Sequence, residues 1–158
     1  MGIVFDAGPL ISLARIRQLH LLPALFGEVI VPPAVHREIT AYESLPGALT
    51  MASADWLRLA EVQDRGAMER LLSWLDAGEA EVLALAGELG ATAAIDERRG
   101  RRLAAELGVP RTGTVGILLV AKRRGLISKV KPMLDQLIAN GIRVSSRLYR
   151  EACRLAEE

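Results

Sequence analysis

Short apolar runs that stop at an acid or a proline, each followed by a longer amphipathic stretch, constrain this chain more than any other feature. "GIVF" (2 to 5), "GEVIVP" (27 to 32) and "ATAAID" (91 to 96) are the clearest of them. Their length suits strands better than helices, and their near-continuous apolarity implies strands covered on both faces. Between them lie helical patterns. "PLISLARIRQLHLL" opens on Pro9, "PAVHREITAYESL" follows the second strand, and residues 67 to 75 and 77 to 89 precede the third. After "ATAAID" come an arginine-rich helix to about Leu107, a brief fourth strand in "VPRTGT", the helix "VGILLVAKRRG" and a helix near 130 to 139. "GIRVS" then reads as a last strand before a charged C-terminal helix. Residues 45 to 66 are loop-rich, with a short edge strand at "WLRLAEV". Strands separated by helices require crossover connections, which predicts an α/β fold: a three-layer α/β/α sandwich with a mostly parallel central sheet.

A length of 158 residues with 51% hydrophobic composition is enough for one core, so the expectation is a single domain over 1–158. No apolar run approaches the roughly 20 residues that cross a bilayer. The first ten residues also lack a basic region followed by an apolar one, so no membrane association and a cytoplasmic location are expected. Cys153 is the only cysteine, which excludes an internal disulfide and a thiolate metal cage and suits a reducing compartment. A formal charge of +1 excludes bulk polycation behaviour, and 4% aromatic residues are too few for a multi-ring stacking platform, so any grip on nucleic acid falls to phosphate contacts. The first turn, "DAGPL", has neither the G-x-G-x-x-G of a dinucleotide site nor the second acid of a phosphoacceptor site.

In open parallel sheets, ligands bind at the carboxyl ends of the strands. Asp6 and Asp96 are the first residues past two such ends, where each is either a helix N-cap or part of a site. Glu38 falls near the apolar stripe of Val35, Ile39 and Tyr42, either as an inward acid that needs a partner or as a residue reaching around the stripe's edge. Glu79 projects with Leu83, Ala86 and Gly87, while Glu81 and Glu88 take the opposite side. Asp76 and Glu79 also match a capping box, which is the structural alternative for Glu79. If these four acids meet, their repulsion requires a cation, and an all-oxygen donor set suits Mg²⁺ or Mn²⁺. His20 and His36 lack metal-ligand spacing, which argues against zinc.

Behind Asp96 the chain reads "ERRGRR". Arg98, Arg99, Arg101 and Arg102 either solvate a helix face or hold phosphates beside the acids, and at helical spacing not all four share one face. Lys122, Arg123 and Arg124 form a second basic cluster with the same two readings. Thr112 and Thr114 offer hydroxyls near a strand end, for a metal-held water or for a helix cap.

The stretches "VFDAGPLISLARI", "LFGEVIVPPAVHREI", "LDAGEAEVLALAGELGATAAIDERRGRRLAAELGV" and "TGTVGILLVAKRRGLI", in this order, resemble the PIN-domain nucleases, in particular the VapC-related branch of nucleic-acid-binding proteins. "GIRVSSRLYREA" extends the likeness towards the C-terminus. The resemblance assigns the first acid to Asp6, the second to Glu38, the third to Glu79 and the fourth to Asp96 or Glu97, with Asp96 preferred because it ends the apolar run directly. It implies Mg²⁺- or Mn²⁺-dependent cleavage of RNA, a toxin-like role with a cognate antitoxin, and a homodimer, to which the apolar C-terminal segments also point. Arg98, Arg99, Arg102, Thr112 and Thr114 become candidate substrate contacts. Two departures stand out: Gly8 where the branch usually has serine, and Glu79 where aspartate is commoner. A PIN-like fold that binds nucleic acid or protein but cleaves poorly is the alternative.

Overall fold

Val4 and Phe5 are fully buried at the centre of the sheet, and the architecture is laid out around them. The computed structural model describes residues 2–158. Strand β1 (Ile3–Phe5) is flanked by β2 (Val29–Val31) on one side and β4 (Thr92–Ala94) on the other; β3 (Leu57–Leu59) and β5 (Arg111–Thr112) form the edges. The order is β3-β2-β1-β4-β5, and every pairing is parallel, in register Val4 to Ile30, Val4 to Ala93, Ile30 to Arg58 and Ala93 to Arg111. Helices flank the sheet, giving the α/β/α sandwich that alternating strands and helices require. The chain builds outward through β2 and β3, then returns to lay β4 against the other side of β1. That reversal opens a crevice at the carboxyl ends of β1 and β4.

Three helical readings change. The first pattern is two helices, α1 (Ala7–Arg15) and α2 (Leu21–Phe26), rather than one. Arg17 enters the left-handed region at φ 57, and the Gln18 N–H closes on the Leu13 carbonyl at 2.8 Å. The turn lets Leu19, Leu21, Leu22 and Leu25 all reach the core. α3 (Pro33–Thr40) stops before Tyr42, which is 70% exposed and so outside the stripe of Val35 and Ile39. The loop-rich stretch carries a short helix, α4 (Ala48–Ala52), as well as β3.

The next helices, α5 (Arg65–Leu71) and α6 (Ala77–Leu89), lead into β4, and α7 (Arg98–Glu106) leads out of it. α8 (Thr114–Arg123), α9 (Lys131–Ala139) and α10 (Ser146–Leu155) complete the chain. "GIRVS" is not a strand: residues 141–145 run as a loop between α9 and α10. Ile142 and Val144 do alternate towards the core, so the period of two is present. The Ile142 N–H, however, bonds back to Leu137 at the end of α9, and no sheet partner takes up the segment.

The start of α9 and the end of α10 are tied to α8 by one carboxylate. Glu158 Oε2 accepts from Lys122 Nζ and from the Val130 N–H, each at 2.8 Å, and Oε1 accepts from the Lys131 N–H at 3.0 Å. Lys122 Nζ also donates to the Ala156 carbonyl. Because Val130, the N-cap of α9, offers no side-chain cap, Glu158 supplies the acceptor that the first turn lacks. Burial opposes its charge, yet the Lys122, Val130 and Lys131 bonds prevail and hold the carboxyl down at about 2, against an ordinary 4.5. A depressed acid stabilises the fold above its ordinary value and ceases to do so as pH falls through its folded value. Glu158→Gln, which keeps one oxygen acceptor but loses the charge, is therefore expected to lower the melting temperature at pH 7 by roughly 2–4 °C, the equivalent of about 1 kcal/mol. The deficit should shrink as the melts are repeated towards pH 3; a constant deficit would mean the charge is not what holds the helices.

Candidate functional site

Asp6 stands where β1 ends and α1 begins, at the head of the crevice between β1 and β4. It is the N-cap of α1, with Oδ1 accepting from the Ala7 N–H at 2.9 Å. It is only 8% exposed, one of three buried polar side chains among the described residues. Burial pushes its carboxyl up from 3.8 to about 7; the Ala7 bond opposes this, and the charges of Glu79, Asp76 and Glu38 add to it.

The other acids reach it across α6. α6 begins at Asp76, whose Oδ1 accepts from the Glu79 N–H at 2.9 Å while Glu79 Oε2 accepts from the Asp76 N–H at 3.2 Å. The capping box foreseen for Glu79 is thus present, and it coexists with a half-buried position beside the other acids. Gly78 lies between the two capping residues. The point a Cβ would occupy there is 3.5 Å from Glu38 Oε2 and 3.6 Å from both Asp6 Oδ1 and Asp76 Oδ1. Three carboxylates from three separate elements therefore surround one small residue. Asp76 was missed as a site residue because its cap role explained it completely; the cue was the glycine two positions on, which keeps the space beside the cap open.

Glu38 is delivered by α3, and Glu81 fixes that helix. With Pro32 as N-cap and Pro33 at its first position, α3 has no side-chain cap of its own. Glu81 Oε2, from α6, accepts the Ala34 N–H at 2.8 Å and bolts the two acid-bearing helices together. Glu81 is thus not an outward residue. Nor is Glu88 idle, since it accepts the N–H groups of Gln63 and Asp64 at the start of α5. Glu38 itself is exposed, reaching around the edge of the stripe, and burial and the charge of Asp76 both raise its carboxyl.

Asp96 and Glu97 part company. Asp96 Oδ1 accepts from the Thr114 N–H at 2.8 Å and Oδ2 from the Thr114 hydroxyl at 2.6 Å, so Asp96 caps α8 from across the sheet. Gly113 permits this, because a Cβ there would stand 2.6 Å from Asp96 Oδ1. Glu97 instead borders the same cleft as Glu79. Burial raises the Glu79 carboxyl most, the Asp76 N–H bond lowers it, the charges of Asp76 and Glu97 raise it, and Arg99 lowers it. Among the described residues, no three Asp, Glu, His or Cys side chains already stand at the spacing of an ion site. The donor set around Gly78 is nevertheless all carboxylate oxygen, close-set and mutually destabilising, which fits a hard divalent cation and not a soft one. Asp6, Glu38 and Asp76 surround that point, with Glu79 alongside.

The arginines divide by face. Arg101 turns inward to the Ile95 carbonyl at 3.1 Å and is structural. Arg98, Arg99 and Arg102 line a cleft of about 450 Å³ together with Glu79 and Glu97. Arg99 Nη1 donates to the Trp74 carbonyl at 3.3 Å, and Arg102 has only a long, exposed pair with Glu106 at 3.8 Å. Thr112 does not belong here. Its hydroxyl lies against Gly116, and it lines a small cavity with Gly2, Ile3, Thr92 and Ile117, in which no acid takes part. In the second basic cluster, Lys122 is taken by Glu158, and Arg124 donates to the Leu25 carbonyl at 2.9 Å, which leaves Arg123 exposed.

An acid raised from 3.8 to about 7 stabilises the fold below the lower value and ceases to do so as pH climbs through the upper one. Without divalent ions, the protein is therefore expected to lose melting temperature between pH 5 and pH 8, and Asp6→Asn, which keeps the cap acceptor, should remove most of that slope. Melts in EDTA at both pH values check this; an unchanged slope in Asp6→Asn would place the strain elsewhere. A family model described as a PIN domain matches residues 2–158, while none of the curated proteins is significantly similar to the chain. With every acid and arginine of the cluster inside the matched span, the chain belongs to the PIN-domain family.

Proposed function

We propose that the protein is a metal-dependent endoribonuclease that hydrolyses RNA phosphodiesters with Mg²⁺ or Mn²⁺, in the manner of a toxin. The observation that carries the reading is the trio of carboxylate oxygens around Gly78, set beside a cleft lined by three arginines. Asp6, Glu38, Asp76 and Glu79 are the residues that would hold the cation. When bound, such an ion supplies positive charge for a phosphate and lowers the pKa of a water it holds. Arg98, Arg99 and Arg102 would take the phosphates flanking the scissile one, where bidentate guanidinium contacts fix register. Of the two acids that follow β4, Glu97, on the cleft wall, is the better candidate to join these four. Asp96 acts with Thr114, positioning α8 against the end of β4. Asp6, its carboxyl pushed up to about 7 by burial, would have to give up its proton to hold a cation, so loading would strengthen as pH rises.

A cognate antitoxin and a homodimer belong to the same reading and rest on the resemblance, while a cytoplasmic location rests on the single cysteine and the character of the first ten residues. Exposed Leu148 and Leu155 on α10 and Ile138 on α9 give the C-terminal helices an apolar surface for either partner. No helix is long and apolar enough to cross a membrane. The second reading is a nucleic-acid-binding module that cleaves poorly. One observation favours it: Glu79 and Asp96 already spend oxygens on helix caps.

Gly78→Ala decides between them. Gly78 has an ordinary helical backbone, and the added methyl would meet the three oxygens at ordinary contact distance, so the metal-free fold should keep or slightly raise its melting temperature. The methyl nevertheless fills the point between the acids. Mg²⁺-dependent RNA cleavage should fall well over tenfold, as when transition-state charge stabilisation is lost, and EDTA should abolish the wild-type activity. Wild-type cleavage by Gly78→Ala, or full activity in EDTA, would overturn the carboxylate-metal mechanism.

A further inference from the structure

Trp74 is 63% exposed, although it stands two residues before Asp76 and between two buried leucines, Leu71 and Leu75. Nothing in the core accounts for an indole held out at that place. Its backbone carbonyl receives Arg99, one of the three arginines of the acidic cleft. Its side chain borders a second groove of about 510 Å³ between α5, α6 and α7, floored by Leu71, Leu83, Leu103 and Leu107 and rimmed by the exposed Arg70. The two concavities are neighbours across the Arg99–Trp74 bond.

The charge around this groove selects its occupant. The carboxylates on its wall are already engaged, Glu88 by the N–H groups of Gln63 and Asp64, and Asp64 by the Ala67 N–H. Arg70 on its rim is exposed, and so are Arg98 and Arg102 in the neighbouring acidic cleft. A ligand suited to an apolar floor, one accessible ring and a positive rim is flat and apolar in one part and anionic in the next. A nucleotide of a single strand has that form. In a duplex each base is stacked and paired, and its face is closed to a side chain.

We propose that Trp74 stacks an unpaired nucleobase of the RNA strand whose phosphate lies on Arg99, which makes Trp74 a substrate-positioning residue of the cleft. This rests on the ribonuclease reading and deepens it. One ring is too few for the multi-base platforms of general single-strand binders, but it suffices to seat one base next to the acids. Stacking is tolerant of base identity because every base has a π-face, so this contact seats a base without selecting its sequence.

The chain has two tryptophans, Trp56 and Trp74, so Trp56→Phe makes Trp74 the only indole. This protein is titrated in EDTA, where nothing is cleaved, with an eight-nucleotide unpaired RNA, the same RNA in a perfect duplex, and inorganic polyphosphate. The single strand should quench Trp74 fluorescence, and polyphosphate should bind without quenching. In the wild-type background, Trp74→Ala should weaken single-strand binding about 10-fold to 100-fold, Trp74→Phe should restore most of it, and duplex binding should not change. Arg98→Ala with Arg102→Ala should weaken all three ligands and flatten their salt dependence. If the arginine variants lose affinity while Trp74→Ala does not, the stacking proposal is overturned and the RNA reading stands. If the parent protein binds no RNA at all, the ribonuclease reading fails and the stacking proposal falls with it. Concentration-dependent self-association that Trp74→Ala abolishes would make the groove a protein interface and overturn the proposal too.

Discussion

Repulsion between carboxylates at the end of the central strand is the constraint on which the rest of the molecule depends. Asp6 is buried, and Glu79, Asp76 and Glu38 all bear on it. Left alone, such a group would protonate or open the structure. The raised carboxyl of Asp6 takes the first course, and the fold resists the second, because each acid is anchored by an element with its own reason to be where it is. β1 is the middle strand of five, so Asp6 cannot move without disturbing partners on both sides. The unfavourable charge is confined to a point that a cation would relieve.

The anchoring is done largely by helix capping. Asp6 caps α1, Asp76 and Glu79 cap α6 together, Glu81 caps α3 and Asp96 caps α8. Each of these acids stands at or beside a helix N-terminus, where free N–H groups and the helix dipole favour a negative charge. Capping by one oxygen therefore does not by itself exclude ion binding by the same residue. Helix termini make the acids affordable in the metal-free fold, and the geometry that makes them caps also brings them to one end of the sheet. The Glu81 bond shows how narrow the tolerance is: it fixes α3 at its first turn, and Glu38 lies just over one turn further along the same helix.

The layers, the parallel sheet and the positions of Asp6, Glu79 and the arginine helix were legible in the sequence, because buried strands and strand-end acids leave local signatures. The failures also have physical causes. "GIRVS" alternates as a strand should, but alternation records which side chains face the core and not whether a partner strand is there to pair. Glu81 and Glu88 look outward at helical spacing because spacing cannot see an unsatisfied N–H on a neighbouring element. Thr112 and Thr114 are two residues apart on and after one strand, yet only Thr114 meets an acid, Asp96; the other hydroxyl is carried away to Gly116. Trp74 was counted only as part of a small aromatic total, although what matters is that the turn before α6 leaves it exposed.

The two departures from the family pattern become intelligible on these terms. Aspartate is commoner at position 79, but the reciprocal half of a capping box needs a side chain long enough to reach back to the N-cap N–H, and glutamate or glutamine serve there. Glu79 closes that box with Oε2 and also lines the cleft, so the extra methylene is the length that lets one residue do both. Gly8 is the opposite case. A Cβ there would meet nothing within 4 Å, so the missing serine leaves no cavity and strains nothing. The helix that Asp6 caps does not depend on a hydroxyl at position 8, and the burden of holding charge at this end of the sheet falls on the carboxylates around Gly78.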